Sequence, residues 1–243
     1  MSRIHFIGGE KGGVGKSVMS RLLAQYYIDK EIPFRIFDAD LSHGAMMRYY
    51  TDYAETVDIS KFESADQIAE QTAEHGTTAI VDMAAQASKS LNRWISETGL
   101  LELAGELGLS LTFWHLMDDG SDALMLLQNL LENYTDKADY VIVRNFGRGQ
   151  DFTHLDGSEA ASLAKQCGAK IIDLPALHPP TMRKIDHISA SFWAAANNTD
   201  QTLGPTLGLL ERQRVKTWLN RTYDQLDFIH MDFAMQARLT DEE

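Results

Sequence analysis

Residues 8–17 read GGEKGGVGKS and carry the chemistry of a phosphate-binding loop. Gly12, Gly13 and Gly15 let the backbone turn tightly and aim successive N–H groups at one anion. Lys16 can reach the β- and γ-phosphates of a nucleotide, and the Ser17 hydroxyl is a hard oxygen ligand for Mg²⁺. A helix opening at Ser17 adds the positive end of its dipole, with Val14 and Val18 inside the same binding stretch. Such a loop needs one lysine. Lys11, with Glu10 beside it where glycine is usual, calls for another explanation.

The elements that must hold this loop are legible as alternating patterns. Short apolar runs predict strands over Ile4–Gly8, Phe34–Phe37, Thr78–Asp82, Leu109–Leu116, Tyr140–Arg144 and Lys170–Leu174. Apolar residues at three- and four-residue spacing predict helices over Ser17–Ile28, Ala65–Glu74, Asp122–Tyr134 and Ser158–Cys167. The alternation argues an α/β fold, a mostly parallel central sheet with helices on both faces. After the turn-rich stretch Asn197–Pro205, one long terminal helix is expected, lined by Val215, Leu219, Leu226, Ile229 and Phe233, with Trp218 and Thr222 adjoining. A single domain over 1–243, with 206–243 a C-terminal helical region, is the expected organisation. The scattered methionines and tryptophans read as core.

With Lys11 in place the loop reads K-G-G-V-G-K-S and resembles the deviant phosphate loop of the ParA/MinD family of P-loop ATPases. The resemblance implies ATP and Mg²⁺ as cofactors. It also implies a homodimer in the ATP state, in which Lys11 crosses to the partner subunit's nucleotide and stabilises charge at the transferred phosphate. In "IFDADLSHG" it implies that Asp38 holds a water on Mg²⁺ and that Asp40 orients the attacking water. Carboxylates two residues apart at a strand end can both face one cleft. Asp82 in "AIVDMAAQAS" stands at the Walker B position as a further Mg²⁺ residue, although Met83-Ala84-Ala85-Gln86 departs from the family's continuation. Asn145 in "VIVRNFGRG" resembles the adenine-reading asparagine, or caps a turn. Pro175 in "IIDLPAL" stands where relatives pack a loop on the adenine ring. Glu10 is expected to point away from phosphate or to hold Lys11 while no partner is present.

Composition narrows the partners. The chain has 243 residues, a net charge of −13 and one cysteine, Cys167. An acidic protein is repelled on average by nucleic acid and anionic lipid. Direct DNA binding would need Arg183, Lys184, Arg212, Arg214, Lys216 and Arg221 to outweigh the background. The alternative for the last four is a solvated helix face with Glu211 and Asp224 interspersed. Membrane attachment is not expected, since the tail ends Thr240-Asp241-Glu242-Glu243. A lone cysteine excludes an intramolecular disulfide and a Cys-x-x-Cys zinc bridge, and the absence of a signal-like start suggests the cytoplasm. His178 and His187 read as surface or core-edge residues. "GSEAA" at 157–161 reads as a helix start.

Two function classes remain. One is a slow ATPase switch whose ATP-bound dimer positions, partitions or transfers a protein or nucleoprotein cargo. The start of the chain, through "LLAQYYIDKEIP", looks most like the TraL-type conjugal transfer proteins of plasmids. The other is an ATP-dependent metabolic ligase or amidotransferase of the dethiobiotin or cobyrinic acid synthase type.

Overall fold

The computed structural model describes residues 2–42 and 44–240, leaving aside the side chains of residues 203 and 236–240. In chain order the elements are β1 (Ser2–Gly8), α1 (Lys16–Asp29), β2 (Phe34–Asp38), α2 (Ala45–Tyr49), β3 (Ala54–Thr56), α3 (Phe62–His75) and β4 (Thr78–Asp82). There follow α4 (Ser88–Thr98), α5 (Leu100–Glu106), β5 (Leu109–Met117), α6 (Ser121–Tyr134), β6 (Asp139–Asn145), α7 (Glu159–Gln166) and β7 (Lys170–Leu174). The chain continues with α8 (Pro179–His187), α9 (Phe192–Asn197) and the long α10 (Leu209–Thr240). The final acidic residues, Asp241–Glu243, lie outside the described residues.

Seven strands form one sheet in the order β3-β2-β4-β1-β5-β6-β7, every pair parallel. Both faces are covered, which explains the continuous apolar runs in the inner strands. Alternate residues serve opposite cores: Ile4 and Phe6 face α3–α7, whereas Ile7 joins the layer of α1, α2, α8, α9 and α10. Val81 and Ile80 of β4, and Ile142 and Val143 of β6, divide the same way. β1 lies between β4 and β5, where the connections change direction, so the loop after it opens at the sheet's switch point.

The terminal helix follows its sequence pattern closely. Val215, Trp218, Leu219, Thr222, Leu226, Ile229 and Phe233 are all buried. Each large apolar side chain so buried contributes about 1.5–3 kcal/mol. Arg3 places its guanidinium 3.8 Å from the Phe233 ring centre, tying α10 back to β1. Gln225 reaches the outer strand β7, accepting from the Asp173 N–H and donating to the Asp173 carbonyl, both at 2.6 Å.

Three local findings refine the expectations. β3 is an added strand of three residues, too short to show a period. Ser158 lies outside α7 and caps it, its Oγ accepting from the Ala161 N–H at 3.0 Å. The methionines and tryptophans are not uniformly core. Trp193 is 55% exposed, and Met125, Met231 and Met235 also face solvent. Among the described residues no helix is long and apolar enough to cross a membrane.

Candidate functional site

The loop between β1 and α1 has the backbone its glycines predict. Gly9, Gly13 and Gly15 have φ of 140°, 79° and 104°, a region that disfavours side chains. At Gly15 a Cβ would also lie 2.4 Å from Asn145 Nδ2, so conformation and space both demand glycine. Lys16 is buried beneath the loop, where its ammonium donates to the Gly9 carbonyl at 2.9 Å and the Lys11 carbonyl at 3.1 Å. Desolvation holds its pKa below the ordinary lysine value. Gly12 and Gly13 remain open to solvent at the rim.

Two buried carboxylates flank this lysine. Asp38 and Asp82 end β2 and β4 and are paired in register across the two strands. Ser20 Oγ donates to Asp82 Oδ1 at 2.8 Å, while Oδ2 is buried without a hydrogen-bond partner. Burial raises the Asp82 pKa to about 7, only partly opposed by the Ser20 and Ser17 hydroxyls and by Lys16. Asp38 Oδ2 accepts from the N–H groups of Met46 and Met47 at 2.8 and 3.3 Å, so this carboxylate caps α2. Desolvation raises its pKa as well. Asp40 is less buried and accepts from the Ser42 N–H and hydroxyl, which keeps its carboxylate at the mouth of the same cleft.

One of the two expectations for Glu10 fails. Glu10 does not hold Lys11: Glu10 Oε1 accepts from the Ser88 N–H at 2.8 Å, and its carbonyl accepts from the Gln86 N–H at 3.2 Å. Lys11 instead bridges Asp118 at 2.8 Å and Asp122 at 3.3 Å, at the end of β5 and the start of α6. These carboxylates raise its pKa. The physical reason is topological. β1 and β5 are adjacent, so a residue far away in sequence is nearer to Lys11 Nζ than the side chain next to it. Gln86, with φ of 60°, forms a tight backbone turn that binds the loop after β4 to Glu10.

Asn145 uses both ends of its amide on backbone, donating to the Val14 carbonyl at 2.7 Å and accepting from the Gly147 N–H at 2.9 Å. It therefore braces the phosphate loop and caps the turn after β6. Its flank, with Val18 and Pro175, lines a cleft of about 310 Å³ that also reaches Gly15 and Trp218. Trp218 Nε1 donates to the Pro175 carbonyl at 2.6 Å and fixes that wall. Gly12 to Val18 thus lie between an acidic cleft on one side and a partly apolar one on the other.

Four residues here escaped the sequence reading. Ser20 sits one helical turn after Lys16 and Ser17, a spacing that could have identified it. Asp118 and Asp122 lie in "MDDGSD", a third acidic strand end resembling those at Asp38 and Asp82. Arg21 is buried in α1 and pairs with Asp186 at 2.7 Å, joining α1 to α8 beside the second cleft.

No family model matches the chain. Protein MobD of Acidithiobacillus ferrooxidans is 24% identical over 180 residues, covering 71% of this chain and 77% of that protein. Protein TraL of Escherichia coli is 24% identical over 242 residues, covering 93% of this chain and 98% of that protein. Among solved structures, the MinD cell division protein of Aquifex aeolicus aligns over 92% of this chain and 97% of its own, with a TM-score of 0.52 and 13% identity. The fold is that of the MinD-like P-loop NTPases. The chain thus combines a MinD-like fold with sequence similarity to MobD and TraL.

Proposed function

We propose that this chain is an ATP-binding, slowly hydrolysing switch that dimerises in its ATP state and positions, partitions or transfers a macromolecular cargo. The observation that carries the reading is the separation of the two lysines. Lys16 lies under its own loop, whereas Lys11 is drawn out to Asp118 and Asp122.

In this reading the loop N–H groups and Lys16 bind the β- and γ-phosphates of ATP. Ser17, Asp38 and Asp82 would hold Mg²⁺, which would neutralise phosphate charge. Two carboxylates and a hydroxyl suit an ion that keeps several waters, and the unpartnered Asp82 Oδ2 is a ready acceptor for one of them. Asp40 orients the water whose attack yields ADP and phosphate. Lys11 leaves its acidic clamp for the partner subunit's nucleotide. Val18, Asn145 and Pro175 bound the adenine side, Asn145 mainly by holding Val14 in place. The relatives named MobD and TraL support conjugal transfer among the possible tasks.

The basic residues give little support to direct DNA binding. Lys184 pairs with Glu211, and Arg212 donates to the Leu207 carbonyl at 2.6 Å. Arg214, Lys216 and Arg221 are left on the solvent face of α10. The amidotransferase alternative is weakened by Cys167, whose thiol is pushed up by burial at the end of α7, contrary to what a nucleophile needs.

The deciding experiment measures solution mass with Mg²⁺-ADP and with Mg²⁺-ATP in Asp40→Ala, with and without Lys11→Ala. An ATP-specific shift from monomer to dimer that requires Lys11 is expected. An unchanged mass with ATP bound would overturn the switch and favour the metabolic enzyme.

A further inference from the structure

A groove of about 350 Å³ runs along the start of α10 and shares the Pro175–Trp218 wall with the cleft beside the phosphate loop. Its floor is apolar, made of Pro175, Leu177 and Trp218. Leu210, Arg214, Thr217 and Arg221 line one side, and their spacing of three and four residues puts them on one face of the helix. Leu210 is 67% exposed, and Leu209 beside it 73%. A single exposed leucine is ordinary, but this one borders an apolar floor and shares its helix face with two arginines.

Charge sets the groove apart from the rest of the molecule. The chain carries a net −13, yet among the described residues the groove's lining holds no carboxylate. Arg214 and Arg221 are exposed and form no ion pair among the described residues. Glu211, one turn before Arg214, is already engaged by Lys184 and by the Gly208 N–H at 2.9 Å. Asp224, one turn beyond Arg221, lies outside the lining. Across the shared wall the neighbouring cleft adds Arg148 and Arg183, and its one acid, Asp186, is taken by Arg21.

An occupant of such a groove must supply both anions and an apolar group. Nucleic acid supplies the anions, but its phosphates run on past the patch over an acidic surface, and its backbone leaves the apolar floor uncovered. A short peptide meets only local charge, because screening limits the reach of the acidic remainder to about 8 Å at physiological ionic strength. We infer that this groove docks an acidic segment of a partner protein, with a leucine or phenylalanine seated over Leu177 and Trp218 and flanking carboxylates on Arg214 and Arg221. Docking needs no nucleotide, so it can be tested apart from the switch.

The probe is a short fluorescein-labelled peptide with two leucines among glutamates. Two companion peptides replace the leucines by serine or the glutamates by glutamine. Anisotropy with the nucleotide-free full chain is expected to show saturable binding of the first peptide alone, weakening as salt is added. Arg214→Glu combined with Arg221→Glu should weaken it about tenfold or more, since two exposed charge pairs are lost and replaced by repulsion. Leu210→Ser should also weaken it and leave the thermal melt unchanged, because that side chain is already largely in water; this covers the case in which the double variant fails to fold. No binding of the acidic peptide, equal binding of either companion, or binding indifferent to these variants would overturn the proposal. So would tighter binding of duplex DNA through the same arginines, which would give the groove to nucleic acid. A rise in mass with protein concentration that the arginine variant abolishes would give it to a second copy and would overturn the proposal as well.

Discussion

Asp82→Asn should stabilise the nucleotide-free protein in a manner that depends on pH. In the folded protein Asp82 titrates at about 7 because it is wholly buried, against 3.8 for an ordinary aspartate. Between these values the folded chain holds a proton that the unfolded chain has released. Stability from this group is therefore greatest in acid, falls as pH rises through the window, and is gone above about pH 7. From pH 5 to pH 7 the two units correspond to roughly 3 kcal/mol. Asparagine keeps the acceptor for Ser20 and does not titrate. Its unpartnered amide nitrogen costs the same at every pH. Urea melts of both proteins at pH 5, 6, 7 and 8 isolate the effect, since other carboxylates cancel in the difference. The asparagine variant should gain roughly 3 kcal/mol on the parent between pH 5 and pH 8. A difference that stays flat or runs the other way would show that the Asp82 carboxylate is not held in a desolvated, uncompensated site.

Further perturbations address the loop and the frame. Asp118→Asn combined with Asp122→Asn should lower the Lys11 pKa, read by NMR, and let the ATP-bound dimer form at lower protein concentration; unchanged dimerisation would separate the clamp from the switch. Gly15→Ala should cost about 1–3 kcal/mol for its backbone strain alone and abolish nucleotide binding, checked by melting and by calorimetry. Restoring space with Asn145→Ala should not rescue it fully, because φ at residue 15 remains unfavourable. Leu226→Ala removes a fully packed side chain between α10 and the sheet and should cost about 2–5 kcal/mol in denaturant unfolding.

The strands were legible because both faces of a parallel sheet are covered, leaving runs such as Ala79–Val81 and Tyr140–Val143 without a polar break. Thr78–Asp82 and Lys170–Leu174 match their predicted bounds, and the other predicted strands differ by one or two residues at one end or, for Tyr140–Arg144, by one at each end. The terminal helix was legible for the opposite reason, since its buried residues recur every three or four positions against a polar background. The phosphate loop was legible because its conformation demands particular residues. Partners brought together by strand order were not. Nothing near Lys11 in sequence points to Asp118, and charge proximity along the chain pointed wrongly to Glu10. Asn145 was read from its type and its turn-capping contact with Gly147 is local, yet its contact with Val14 depends on the approach of β6 to the loop.

The contact of Gln225 with Asp173 has a consequence for how this molecule can assemble. A parallel sheet is an open lattice: its outermost strand offers the same unfilled rungs that recruited the previous one. On β7 one of those rungs is filled by a side chain that imitates a peptide group, giving and accepting as a neighbouring strand would. α10 thus acts as a terminator, ending the growth of the sheet from within the same chain. Copies of this protein are thereby steered away from joining edge to edge along β7.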